Sequence, residues 1–264
     1  RGLGDVYKRQ SGGSLTQSSI LLTNKGVNAD YVRQIINLTQ TTSGSYLLLA
    51  SLDISRRNLA LRGEESFAKV MDMAEYARRE INEIGGYYAY GKELVNGTSV
   101  YDYDVTKLSV HTLGLGLAGI EVYDLLRDEY DIQIEFGDVS NILAYISIGD
   151  RLQDIERLVG ALADIARIYK KDSTGMLSGE FISPIVARSP QEAFYSAKES
   201  LPVEKTEGRI SGEFVMCYPP GIPILAPGEM ITDEIIQYIL YVKEKGCSMQ
   251  GTEDKSVNKL KVLV

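Results

Sequence analysis

From Tyr46 to Ile84 apolar side chains recur at helical spacing for almost the whole run, with no proline inside it, and this stretch limits the fold more than any other feature of the chain. Leu47, Leu48, Leu49, Leu52, Ile54, Leu59 and Leu61 predict a helix from Tyr46 to Arg62, buried on much of its circumference, with a Ser-Gly-Ser start and a stop at Gly63. Glu64 to Ile84 predicts a second amphipathic helix, with acids in its first turn where they suit the helix dipole and Gly85-Gly86 closing it. A shorter helix from Ala29, marked by Val32, Ile35, Ile36 and Thr39, precedes both and ends at Thr-Ser-Gly-Ser, residues 42–45. A long helical spine is therefore expected.

The texture changes after Val105. Lys107–Thr112 reads as a strand, Leu117–Tyr130 as a helix, Ile132–Glu135 and Ile142–Ser147 as strands, and Arg151–Tyr169 as a helix. Lys170–Gly179 is polar and linker-like. Beyond it come short strands, a proline-rich loop and a helix from Thr232 to Lys245 whose Thr-Asp-Glu start supplies a cap. The organisation expected is residues 11–104, 105–177 and 178–264, with 1–10 set aside. That opening decapeptide has no helical or strand periodicity and reads as a translated sequencing-adapter remnant, the alternative being a loop cut from a longer protein. Either way the true N-terminal part is expected to be missing.

Composition narrows the function classes. With 44% apolar and 24% charged residues among 264, the chain has the balance of a soluble globular protein, and a net charge of −8 disfavours nucleic acid or an anionic membrane as partner. No run reaches the roughly 18 apolar residues of a membrane span. The two cysteines, Cys217 and Cys247, and the single His111 make neither a disulfide framework nor a zinc set, so no metal and a reducing cytoplasm are expected.

Several segments could carry chemistry, each with a plainer reading beside it. The Gly/Ser/Thr cluster Ser11–Ser19, leading into an apolar strand at 20–22, could offer N–H groups and hydroxyls to a phosphate, or be an ordinary turn. Thr41, Thr42 and Ser43 stand just before the Tyr46 helix, where hydroxyls and free N–H groups could hold an anion, or where Ser43 or Ser45 simply caps it. Glu213 is an acid in an apolar run, which calls for a cationic partner such as a substrate amine, or for a surface position on an edge strand. Tyr218-Pro219-Pro220-Gly221-Ile222-Pro223 is a stiff loop suited to substrate contacts. His111 reads as structural, Asp102, Asp104, Asp138 and Asp150 as turn acids, and Cys217 as a packed small side chain.

Taken in order, Gly-Gly-Ser-Leu-Thr-Gln-Ser-Ser (12–19), Gln-Thr-Thr-Ser-Gly-Ser-Tyr-Leu-Leu-Leu-Ala-Ser-Leu-Asp (40–53), Thr-Lys-Leu (106–108) and Leu-Gly-Leu-Ala-Gly-Ile-Glu-Val (115–122) carry a resemblance. Gly-Arg-Ile-Ser-Gly-Glu (208–213), Tyr-Pro-Pro-Gly-Ile-Pro (218–223) and Pro-Gly-Glu-Met-Ile-Thr (227–232) complete it. Together they resemble the C-terminal portion of the ornithine/lysine/arginine decarboxylase family, pyridoxal-phosphate enzymes of fold type I, from about Ser11 onward. The resemblance implies an α/β fold: the end of the cofactor-binding major domain, a small α/β domain and a C-terminal α+β decarboxylase domain.

It also implies pyridoxal 5'-phosphate as cofactor, a basic amino acid as substrate with arginine ahead of lysine or ornithine, a role in polyamine metabolism, and a homodimer or larger with the active site shared between subunits. The family's Ser-x-His-Lys stretch, whose lysine forms the Schiff base, would fall with that lysine at Gln10 and its histidine at Arg9. The catalytic lysine is thus missing, Lys8 being two positions away, and no catalytic residue is assigned. Thr41, Thr42 and Ser43 resemble the segment that reaches a neighbouring subunit's cofactor phosphate. Glu213 with Tyr218, Pro219 and Gly221 resembles the elements that meet the distal amine or guanidinium. An aminotransferase-like enzyme of the same fold and a non-catalytic binding or regulatory subunit are the alternatives.

Overall fold

The computed structural model describes residues 13–15, 21, 23–40, 42–172, 182–218 and 221–264. It is a mixed α/β chain that divides into two units, one taking in residues to Ala77 with Val95–Leu108 and Tyr145–Arg157, the other Arg78–Leu94, Ser109–Ala144 and Leu158–Val264. Helix α1 (Ala29–Thr39) begins on the side chain of Asn28, which accepts from the N–H groups of Asp30 and Tyr31 at 3.1 Å.

Helix α2 runs unbroken from Tyr46 to Ile84, 39 residues, so the expected stop at Gly63 does not occur. A mid-helix glycine costs about 1 kcal/mol relative to alanine. Two long runs of good helix formers on either side outweigh that, and propagation adds a hydrogen bond per residue. Burial of the first half fails too: Leu47, Ile54 and Leu61 are 70%, 68% and 71% exposed. These three recur every seven residues and form one apolar stripe open to solvent.

A four-stranded sheet follows, in the order β1 (Tyr88–Ala89), β2 (Lys107–His111), β4 (Asn141–Tyr145), β3 (Phe136–Gly137). The strand expected at Ile132–Glu135 is displaced to Phe136–Gly137, because Asp131 turns the chain at φ 53° and pairing starts only where Glu135 N–H donates to Leu143 O, with Phe136 and Gly137 opposite Leu143 and Ile142. Helix α3 (Gly119–Asp128) lies close against the backbone beside β3: a Cβ on Gly119 would collide with the carbonyl of Asn141, and one on Gly137 with that of Gly119. Helix α4 spans Leu152–Ile168.

Beyond residue 181, helix α5 (Pro190–Tyr195) starts on a Ser189–Glu192 capping box. Strands β5 (Lys198–Pro202) and β9 (Lys259–Leu263) pair antiparallel, and β6 (Val215–Tyr218) is flanked antiparallel by β7 (Ile222–Leu225) and β8 (Ser248–Gln250). Helix α6 (Asp233–Glu244) has Thr232 as its cap, the hydroxyl accepting from Ile235 N–H at 3.3 Å, as its sequence predicts. Its buried face is Ile235, Ile236, Ile239 and Val242; the three isoleucines join Val203, Val215, Leu225, Ile231, Leu260 and Val262 in the core of this part. Each such side chain stabilises the fold by about 1.5–3 kcal/mol. Among the described residues no helix is long and apolar enough to cross a membrane.

Candidate active site and family membership

Glu213 lies in the segment Gly208–Glu213, which threads between Gly228–Ile231 and β9. Ser211 N–H donates to Glu229 O and Gly212 N–H to Lys261 O, both at 2.8 Å, while Leu263 N–H reaches back to Ile210 O. A Cβ on Gly212 would stand 2.8 Å from the Lys198 stem, so the lysine side chain packs directly over this glycine. This threading holds Glu213 half-buried, two residues ahead of β6.

Its carboxylate partners are backbone N–H groups rather than a cation. Oε1 accepts from Lys261 at 2.8 Å and Oε2 from Glu253 at 2.9 Å, while the Lys261 ammonium pairs with Glu253. Burial pushes the Glu213 carboxyl above its usual range, against the lowering effect of the Lys261 N–H and ammonium. A carboxylate has about four lone-pair sites, so each oxygen can still accept one more donor.

Tyr218 ends β6 and Gly221 lies in the turn to β7. Gly221 adopts φ 84°, its N–H donates to Cys217 O at 2.9 Å, and a Cβ on it would stand 3.3 Å from the Tyr218 ring. Tyr218 is half exposed and Ile222 exposed. The structure brings Tyr218 and Gly221 together. It separates both from Glu213 by the length of β6, about 10 Å of strand. Pro219 lies outside the described residues.

Thr42 and Ser43 are exposed and stand just before α2, whose first turn carries N–H groups without intrahelical partners; Leu49 N–H is already bonded to Ser45 O at 3.0 Å. They belong to the first unit, and Glu213, Tyr218 and Gly221 to the second. Thr41, Lys8, Gln10 and residues 11–12 and 16–19 of the Gly/Ser/Thr cluster lie outside the described residues. Within that cluster Gly13 takes φ 73°, Ser14 is buried and Leu15 N–H donates to Ser51 Oγ at 3.2 Å.

The turn acids and His111 keep their plainer readings. Asp104 accepts from the N–H and hydroxyl of Thr106, Asp138 from the N–H groups of Ser140 and Asn141, and Asp150 from Ser147 N–H, all within turns. His111 Nδ1 lies 3.3 Å from Asn141 Oδ1, which also takes the Tyr90 hydroxyl at 3.3 Å. Cys217 is buried. What the sequence reading missed is the other wall of the Glu213 site, Glu253 to Lys261. Its signal was the Asp254-Lys255-Ser256 turn, in which Asp254 accepts from Ser256, Asn258 and Lys259 N–H.

Comparison with known proteins completes the picture. The chain is 41% identical over 256 residues to the arginine decarboxylase of Bacillus subtilis (strain 168), and 42% identical over 256 residues to that of Bacillus anthracis. Each match covers 96% of this chain and 52% of the relative. The fold matches the crystal structure of the Francisella novicida lysine decarboxylase with a TM-score of 0.75 at 18% identity, over 98% of this chain and 48% of that one. The chain thus spans about half the length of these proteins. Residues 5–154 match the Orn/Lys/Arg decarboxylase major domain and residues 179–255 the Orn/Lys/Arg decarboxylase C-terminal domain. On that evidence of sequence and fold together, the chain belongs to the Orn/Lys/Arg decarboxylase family.

Proposed function

We propose that this chain is part of a pyridoxal-phosphate-dependent decarboxylase that converts a basic amino acid, arginine ahead of lysine or ornithine, to its amine in cytoplasmic polyamine metabolism. The observation that carries this is identity above 40% along 96% of the chain with proteins named arginine decarboxylase. The three-part organisation, 11–104, 105–177 and 178–264, belongs to the same proposal, as does a homodimer or larger with a shared active site.

Bound pyridoxal phosphate supplies the electron sink for cleaving the bond to the α-carboxylate. At its phosphate end the residue types present fit: Thr42 and Ser43 stand just before the first turn of α2, and Thr41 precedes them in sequence. They would hold the phosphate of a neighbouring subunit. At its aldehyde end they do not, because glutamine occupies position 10 where the family's lysine would align, and no step is assigned there.

Glu213 is the residue suited to the substrate's far end. Its carboxylate is held by two backbone N–H groups yet keeps acceptor capacity, and a guanidinium can use two such sites at once, which favours arginine over lysine. Tyr218, Pro219 and Gly221 would line the path by which the substrate arrives. An aminotransferase of the same fold predicts amino transfer that depends on a keto acid in place of CO₂ release. A non-catalytic subunit predicts neither. Assaying the complete gene product for both reactions separates the three, and a Ser-x-His-Lys stretch in the upstream genomic sequence supports the first.

A further inference from the structure

The reading above leaves Cys217 and Cys247 without a role. Both are buried, at 8% and 7% exposure, and they share an apolar cluster with Ala118, Ile120, Val139 and Val242. In the β6–β8 ladder Cys217 faces Met249 and Tyr218 faces Ser248. Cys247 is two residues from Met249, so it stands on the same side of the ladder as Cys217, as its diagonal neighbour. Diagonal neighbours have Cα atoms about 7–8 Å apart and Cβ atoms closer. That exceeds the roughly 4.4–6.8 Å that a disulfide spans, so closure needs the backbone to move.

Closing that gap requires the Cys247 backbone to shift towards β6. Cys247 precedes the first residue of β8 and follows Gly246, which sits at φ 79° with nothing within 4 Å of where its Cβ would be. The neighbouring Cys247 thiol and burial push the Cys217 thiol up, so Cys217 is not the sulfur that ionises first. Cys247 also lines a cavity of about 680 Å³ with Lys243, Ser248, Met249 and Lys255, whereas Cys217 is not among its lining residues.

We propose that Cys217 and Cys247 are a redox-active dithiol, closed to an intramolecular disulfide by exchange with a small, negatively charged disulfide admitted through the Lys243–Lys255 cavity. The Cys247 thiolate attacks one sulfur of the small disulfide and expels the other as a thiolate, leaving a mixed disulfide on Cys247. Cys217 then attacks the Cys247 sulfur and expels the second small thiolate. The two protein thiols lose two protons and two electrons, and the small disulfide gains both to become two thiols. The product ties β6 to β8 beside the Tyr218 turn. None of this depends on the decarboxylase reading, so either can fail alone.

The test treats the folded chain with oxidised glutathione, blocks remaining thiols with an alkylating reagent and maps the peptides by mass spectrometry. The expected result is a peptide pair joined Cys217 to Cys247, lighter by two hydrogens than the reduced pair and released by reductant. In C217S a glutathione adduct should stay on Cys247, while C247S should leave Cys217 unmodified. Both cysteines fully alkylated in the unsubstituted chain, or a link formed only between two chains, would overturn the proposal whatever the variants do.

Discussion

Oε1 of Glu213 accepts the backbone N–H of Lys261 at 2.8 Å, a bond between residues 48 positions apart in sequence. With the Glu253 N–H on Oε2 it ties the Gly208–Glu213 segment to β9 and to the turn before it. Glu213→Gln keeps one acceptor and places an amide N–H₂ against a backbone donor. The expected loss is about 1–3 kcal/mol of stability in urea unfolding. In the complete enzyme the same change should raise the KM for arginine more than it lowers kcat. An unchanged KM would remove Glu213 from the substrate site while leaving its structural role.

The close approach at Gly119 gives a second expectation. Gly119→Ala puts a methyl group into the Asn141 carbonyl and should cost about 1–3 kcal/mol. Gly160, in the middle of α4 with open space around it, is the control: Gly160→Ala should stabilise by about 0.4–1 kcal/mol. Equal effects at the two positions in chemical unfolding would mean that α3 does not lie against this backbone.

Acid stability should depend on Asp254. Hydrogen bonds from the Ser256 hydroxyl and the N–H groups of Ser256, Asn258 and Lys259 hold its carboxyl down to about 2, from an ordinary value near 3.8. A depressed carboxyl contributes stability that is present above its unfolded value and lost as pH falls through its folded one. Thermal unfolding should therefore show Asp254→Asn melting lower than the parent at pH 6, with the gap shrinking from pH 4 towards pH 2. Glu213, raised by burial, works in the opposite sense, and its contribution is lost as pH rises through its folded value. A gap for Asp254→Asn that stays constant down to pH 2 contradicts the assignment.

What the sequence made legible follows from how local each signal is. Helices α1, α3, α4 and α6 and the Thr232 cap are written in side chains three or four positions apart, and they appear within a few residues of where periodicity puts them. The break at Gly63 was misread because a single glycine is a weak penalty inside two strong helical runs. Strand β3 was misplaced because two residues paired to Ile142 and Leu143 owe their conformation to a partner, not to their own pattern. Glu213 was expected to face a cation or to sit on an exposed edge strand; it is half-buried ahead of β6, and the N–H groups that satisfy it come from a segment some 40 residues on. The order of the motifs, by contrast, was enough to indicate the family.

The stripe Leu47, Ile54 and Leu61 on α2 should govern the behaviour of the isolated chain in solution. Three large apolar side chains, each about 70% exposed and in line, favour association. Replacing all three with lysine should raise the fraction left in the supernatant after high-speed centrifugation and leave far-ultraviolet helicity unchanged. Unaltered sedimentation with intact helicity would show that the stripe does not drive association.

The central claim is the reaction, and the most direct measurement is CO₂ released from carboxyl-labelled arginine, lysine and ornithine by the complete gene product supplied with pyridoxal phosphate. The expected result is release matched by the corresponding amine, fastest with arginine. No release from any of the three would contradict the account.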